Sequence, residues 1–261
     1  MKRFVCVMFV CACAGLSLHG AGSVTMAKPE DVGLSSERLM RVHDAVQRHI
    51  DAGSLSGAVT LVARHGKIAH LEAHGLLDVE SKKAMPKDGV FRLASMSKPI
   101  TAVAIMMMVE EGKVRLNDPV SRFIPEFKSM KVAVAKPNAR GGGAAPAGPG
   151  GPGRGGPPPE VDLVSSTREI AIRDLLTHGS GLLSGGLGNA TAGQVAVRGP
   201  NDTLATYIPK LGAVALDFQP GTLWRYSGLE GFDVLSRVVE IASGRPYDQF
   251  LRERLFEPLG M

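Results

Sequence analysis

Ser95-Met96-Ser97-Lys98-Pro99-Ile100-Thr101-Ala102-Val103-Ala104-Ile105-Met106-Met107-Met108-Val109-Glu110-Glu111-Gly112 is the stretch from which the fold is read. Pro99 falls in a first helical turn, where its missing N–H costs nothing, and Gly112 stands just past the end, so the pattern predicts a helix over 95–111. Ile100, Val103, Ala104, Ile105, Met106, Met107 and Met108 go round all sides of it, as in a helix of the protein interior. The methionines read as adaptable core filling rather than as a metal or binding stripe. Two polar groups open this apolar helix. Ser95 and Lys98 are three positions apart and therefore share a face. An amine held beside a hydroxyl in apolar surroundings is disfavoured in its charged form, and a neutral amine accepts a serine proton. Ser95 also stands at the positive end of the helix, where its own N–H can face a developing oxyanion. A Ser-x-x-Lys pair arises about once by chance in an ordinary chain of this size, and an N-cap serine with an exposed lysine is the plain alternative.

Towards the N-terminus, Ala58-Val59-Thr60-Leu61-Val62-Ala63 is almost wholly apolar, which predicts a strand over 57–64 covered on both faces. His65-Gly66 turns it into a second strand over 67–74. Leu39, Val42, Val46 and Ile50 recur at helical spacing across 35–52, with Ser35 or Ser36 as cap and Gly53 as stop. The chain starts Met1-Lys2-Arg3, continues uncharged to Leu18, and then offers Gly20, Ala21, Gly22, Ser23 and Ala27. That order predicts a signal peptide over 1–27, cleaved between Gly20 and Ala27, and a periplasmic or secreted protein with no stable membrane span after cleavage. All three cysteines, Cys6, Cys11 and Cys13, lie in this segment. The mature chain is then free of thiols; a lipoprotein anchored through Cys13 is the minor alternative.

Towards the C-terminus, residues 137–159 hold 9 of the 32 glycines and 7 of the 17 prolines. So biased a stretch cannot pack a core, and it reads as a solvated insertion within one domain over 28–261. Order is expected to resume over 165–177, where Ile170, Ile172, Leu175 and Leu176 line a short helix. Two further helices are expected over 231–242 and 246–255. The net charge of +5 comes without any run of basic residues, so nucleic acid is not an expected partner. His43, His49, His65, His70 and His74 show no metal spacing on a helix face, and neither a metal nor an organic cofactor is expected. Tyr226 follows the Pro220-Gly221 turn and directly precedes a helix. Placed beside Lys98, its oxygen would be partly ionised or would relay a proton.

Ser95-Met96-Ser97-Lys98, Leu175-Leu176-Thr177-His178-Gly179-Ser180-Gly181-Leu182, Pro220-Gly221-Thr222 with Tyr226-Ser227, and Phe256-Glu257-Pro258-Leu259-Gly260-Met261 together resemble the serine β-lactamase-related family. That family comprises class C β-lactamases, D-alanyl-D-alanine carboxypeptidases and β-lactamase-like esterases. The similarity runs over about 30–135 and 161–261. It implies an α/β (α+β) fold of the β-lactamase/transpeptidase type, with an antiparallel sheet flanked by helices and a helical subdomain. It also implies an acyl-enzyme mechanism: Ser95 the nucleophile, Lys98 its activator, Tyr226 the general base and then acid, and the Ser95 N–H one half of an oxyanion hole. The substrate would be an ester, a β-lactam or a D-amino-acid peptide, a small molecule or a peptidoglycan-like fragment.

Two departures from the family pattern shape the expectation. The tyrosine motif usually runs Tyr-x-Asn, whereas Gly228 stands in the third position here, which favours an esterase. The chain also stops at Met261, before the strands that carry the family's last motif, so a fragment with its C-terminal strands missing is expected. A non-catalytic homologue that binds cell-wall fragments is the alternative. His178-Gly179-Ser180-Gly181 reads as a helix end and turn, since no Gly-x-Ser-x-Gly elbow accompanies it.

Overall fold

The computed structural model describes residues 25–136 and 160–261. The Cys13 anchor, most of the signal segment and the 137–159 insertion lie outside the described residues. The described residues form two compact units, one falling within 1–92 with 258–260, the other within 93–257 with Met261.

In the first unit, β1 (Thr25–Met26) precedes α1 (Ser36–Asp51), β2 (Gly57–Arg64), β3 (Lys67–Asp78) and β4 (Lys83–Ala84). Ser35 caps α1, its Oγ accepting the Arg38 N–H at 3.2 Å. Leu39, Val42, Val46 and Ile50 of that helix are half-buried. His65 and Gly66 join β2 to β3 with φ of 53° and 71°, the two left-handed residues that a tight hairpin of matching twist demands. Thr60 stands opposite Glu72, and Ala58 opposite His74; Ala69 bulges where Ala63 pairs with Ile68. β3 runs four residues past its expected end at His74. The sheet order is β1-β3-β2, with β4 on β3.

Two expectations change here. The sheet is mixed, because β1 runs parallel to β3; a long connection through α1, not a tight turn, leads on from β1 and permits that direction. Among the described residues β2 pairs with β3 alone, and Leu61 is 55% exposed, since apolar composition does not distinguish a strand covered on both faces from one with an open face. Thr25 and Met26, within the Gly20–Ala27 range given for the cleavage site, belong to the sheet, and Ala27 N–H donates to the Ile68 carbonyl at 2.9 Å.

In the second unit a 3-10 turn over Ala94–Met96 leads into α2 (Ser97–Glu110), so the helix starts two residues later than expected. Then come β5 (Lys131–Ala135), β6 (Val161–Ser165), α3 (Ile172–Leu176), α4 (Leu187–Thr191), α5 (Leu204–Tyr207), α6 (Glu230–Ser243) and α7 (Tyr247–Leu251). α2 packs on α6. Ala104, Ile105 and Met108 meet a core that includes Leu235, Val238 and Val239, all fully buried; each large side chain there contributes about 1.5–3 kcal/mol through burial. Val103 and Met106 stay 45% and 47% exposed. The helix is thus interior on one side only, although its sequence is apolar on all sides.

β5 and β6 pair antiparallel from Lys131 with Ser165 to Ala135 with Val161. The two strands that flank the Gly/Pro-rich stretch are thus paired, and β6 begins at Val161, before the 165 at which regular structure was expected. These strands are only five residues each, too short for their alternation of Val132, Val134, Val161 and Leu163 to stand out. α3 is one short helix at the end of the expected 165–177 span. α6 ends as expected at Gly244, whose φ is 71°. α7 stops at Leu251, beyond which Arg252–Phe256 continues as a π turn. Among the described residues no helix is long and apolar enough to cross a membrane.

Candidate active site

The 3-10 turn before α2 puts Ala94 at a φ of 47°. A residue with a Cβ reaches that region at a cost of about 1–3 kcal/mol, which surrounding structure must over-determine. Ser95 follows it, one turn before Lys98. Lys98 is buried, at 8% exposure, and its Nζ donates to Ser95 Oγ at 3.1 Å. Ser95 makes no capping bond to α2. The plain alternative of a capping serine with an exposed lysine does not apply.

Tyr226 reaches the same place from 131 residues away. Its phenol oxygen lies 2.6 Å from Ser95 Oγ, and Lys98 Nζ lies 4.9 Å from the centre of its ring. A ladder between two loops holds it there: Asp217 N–H donates to the Gly181 carbonyl at 2.7 Å, Gly221 N–H to Gly179 at 2.8 Å and Arg225 N–H to His178 at 3.1 Å. Gly221 has a φ of 79°, and a Cβ there would come within 2.1 Å of the Arg168 guanidinium. Arg168 is in turn gripped by both carboxylate oxygens of buried Asp174, at 2.6 and 3.0 Å. The Pro-Gly turn is thus built for glycine. Lys98 first and Ser95 second draw the Tyr226 phenol below its ordinary range, against a smaller upward push from burial.

His178 was expected only to end a helix and turn the chain. It does so, with a φ of 59° just past α3. It also packs its ring on Tyr226, centroids 4.6 Å apart, and on Phe232 at 5.6 Å. Its Nδ1 accepts the Ser227 N–H at 3.3 Å, so the ring proton of the neutral form sits on Nε2. Burial pushes His178 below its ordinary range and the charge of Lys98 adds to it. No sequence signal marks this contact, because His178 and Tyr226 lie on different loops. At Gly228, a Cβ would meet nothing closer than Glu230 Oε2 at 3.5 Å, so the missing side chain is not a steric necessity.

A hydroxyl one turn ahead of a buried amine and in contact with a phenol, in a chain that also forms a mixed sheet and helices, belongs to the serine β-lactamase/transpeptidase class of fold. The chain belongs to the Beta-lactamase family, whose profile matches residues 42–261. It is 36% identical over 223 residues to protein Rv1367c of Mycobacterium tuberculosis, covering 83% of this chain and 49% of that protein. To esterase EstB of Burkholderia gladioli it is 33% identical over 243 residues, covering 88% and 51%. Among solved structures it is similar to EstCE1, a hydrolase with promiscuous acyltransferase activity, with 32% identity, a TM-score of 0.65, and 85% and 51% of the two chains covered. The chain spans about half the length of these relatives.

Proposed function

We propose that this chain carries the nucleophile, the activating amine and the acid–base phenol of an exported serine esterase working through an acyl-serine intermediate. Two hydrogen bonds support this, the 2.6 Å and 3.1 Å contacts that join Ser95 Oγ to Tyr226 and Lys98. In its ionised form Tyr226 takes the Ser95 proton while the charge of Lys98 stabilises the phenolate. Ser95 Oγ attacks the ester carbonyl, and the tetrahedral oxyanion faces the Ser95 N–H. Collapse breaks the bond to the alcohol, and Tyr226 returns its proton to the leaving alkoxide. Water then attacks the acyl-serine and gives a proton to Tyr226, which passes it to Ser95 as the carboxylic acid departs.

An ester is favoured over a β-lactam or a D-amino-acid peptide by Gly228, which brings no side-chain amide to the substrate. Met96, Leu223, Trp224 and Leu229, exposed apolar neighbours of the site residues in sequence, suit an apolar acyl group. The names of EstB and EstCE1 agree with this chemistry. Labelling by a fluorophosphonate is expected for the wild-type chain and lost in Ser95→Ala; labelling that survives the substitution removes Ser95 as the nucleophile. Gly228 equally favours a second reading, a binder of cell-wall fragments that does not turn over. Stoichiometric labelling without hydrolysis of p-nitrophenyl butyrate would select it.

For export, cleavage before Thr25 keeps β1 in the sheet. N-terminal sequencing of the secreted protein is expected to begin at or before Thr25, and a start after Met26 would contradict this.

A further inference from the structure

His70-Leu71-Glu72-Ala73-His74 places three ligand-type side chains on one face of β3, because alternate residues of a strand point the same way. Thr60 stands opposite Glu72 on β2, and His43 of α1 reaches the same carboxylate. Histidines that show no metal spacing on a helix face come together here from a strand and a packed helix. His43 Nδ1 lies 2.8 Å from Glu72 Oε1. The other carboxylate oxygen lies 3.9 Å from His70 Nε2 and 3.7 Å from His74 Nε2. The ligand atoms of His43, Glu72 and His74 all fall within 4.8 Å of one another. The His74 side chain is 1% exposed and that of His70 13%.

Hydrogen bonding within this group serves Glu72 least. Thr60 Oγ1 lies 2.8 Å from His70 Nε2 and 3.1 Å from His74 Nε2, donating to one ring nitrogen and accepting from the N–H of the other. The second Glu72 oxygen sits near both nitrogens yet beyond hydrogen-bond reach of either. A tetrahedral zinc ion with bonds of 2.0–2.1 Å holds its donor atoms roughly 3.3 Å apart. The 2.8 Å and 3.7 Å separations of His43 and His74 from the Glu72 oxygens bracket that value, and imidazole with carboxylate is a donor set suited to such ions.

We propose that His43, Glu72 and His74 form a three-ligand binding site, with one position left open, for a divalent transition-metal ion of the zinc type, which pins α1 to β3. Such an ion stabilises the folded unit by binding it in preference to the unfolded chain. The full chain, purified without a histidine tag, is titrated with Co2+ and then Zn2+. One equivalent of Co2+ is expected to give the strong visible absorption of four-coordinate cobalt, removed by Zn2+, and Zn2+ is expected to raise the melting temperature. Loss of buried His74 is liable to unfold the unit, so the deciding variants are His43→Gln and Glu72→Gln, checked as folded by circular dichroism. Each is expected to weaken binding at least about tenfold. Absence of the visible band, or binding unchanged in both variants, overturns the site. A near-ultraviolet thiolate band overturns it too, by assigning the cobalt to cysteine.

Discussion

His178 holds Tyr226 from two directions: its ring lies 4.6 Å from the phenol ring at a tilt of 41°, and its Nδ1 accepts the N–H of the next residue, Ser227, at 3.3 Å. Burial, reinforced by Lys98, favours the neutral imidazole, and only a neutral ring keeps an acceptor at Nδ1. The same lysine that draws the phenol towards ionisation thus helps to keep its neighbour in the form that positions it.

His178 is accordingly a positioning residue. His178→Ala is expected to lower kcat by about 10–100-fold with little change in KM, as when a displaced group acts mainly in the transition state. His178→Asn, with an amide oxygen able to accept the Ser227 N–H, is expected to recover part of the loss. Equal damage from both variants, with KM raised, would reduce His178 to a structural role.

The pH dependence follows from Tyr226. Its folded-state value lies below the ordinary 10, so the base form appears at lower pH than in a free phenol. The rate of ester hydrolysis is therefore expected to rise with pH along a limb below 10. Removing Lys98, the main cause of the lowering, moves the limb upward. Lys98→Ala is expected to show this shift together with a loss of about 100-fold or more at pH 7. A limb that stays in place would mean that another group titrates there.

Ser227 Oγ is buried without a hydrogen-bond partner among the described residues. A buried hydroxyl left unpaired carries its desolvation cost uncompensated. Ser227→Ala is expected to stabilise the protein by about 1 kcal/mol, seen as a higher urea midpoint at unchanged slope. A lower midpoint would show that the hydroxyl has a partner.

Gly228 has room for a side chain, with Glu230 Oε2 the nearest atom at 3.5 Å. Gly228→Asn places an amide beside Tyr226 and is expected to shift the ratio of penicillin acylation to ester hydrolysis towards penicillin by about tenfold, the order of one net hydrogen bond. Parallel second-order rate measurements on the two substrates check this. An unchanged ratio would remove Gly228 as a determinant of substrate choice.

Several features were legible in the sequence because they depend on a few consecutive residues. Three-residue spacing put Ser95 and Lys98 on one face, Gly244 stopped α6, and His65-Gly66 turned β2 into β3. Other features escaped because their partners lie far away along the chain. β5 and β6 are too short to announce themselves until they pair across the 137–159 stretch. Apolar composition could not tell that Val103 and Met106 of α2, or Leu61 of β2, stay exposed. His70, Glu72 and His74 share a face by strand periodicity, which a search of helix faces misses, and His43 joins them only when α1 packs.

By itself, then, the sequence determined the helix that carries Lys98 with Ser95 three positions ahead of it, the hairpin before it, and the family that its ordered motifs resemble. Local backbone geometry repeats wherever those residues occur. The tertiary structure alone decided that the Tyr226 oxygen lies 2.6 Å from Ser95 Oγ across 131 residues, and that His178 stacks on its ring. Such contacts depend on how two loops are laddered together by backbone hydrogen bonds, and no spacing along the chain encodes that.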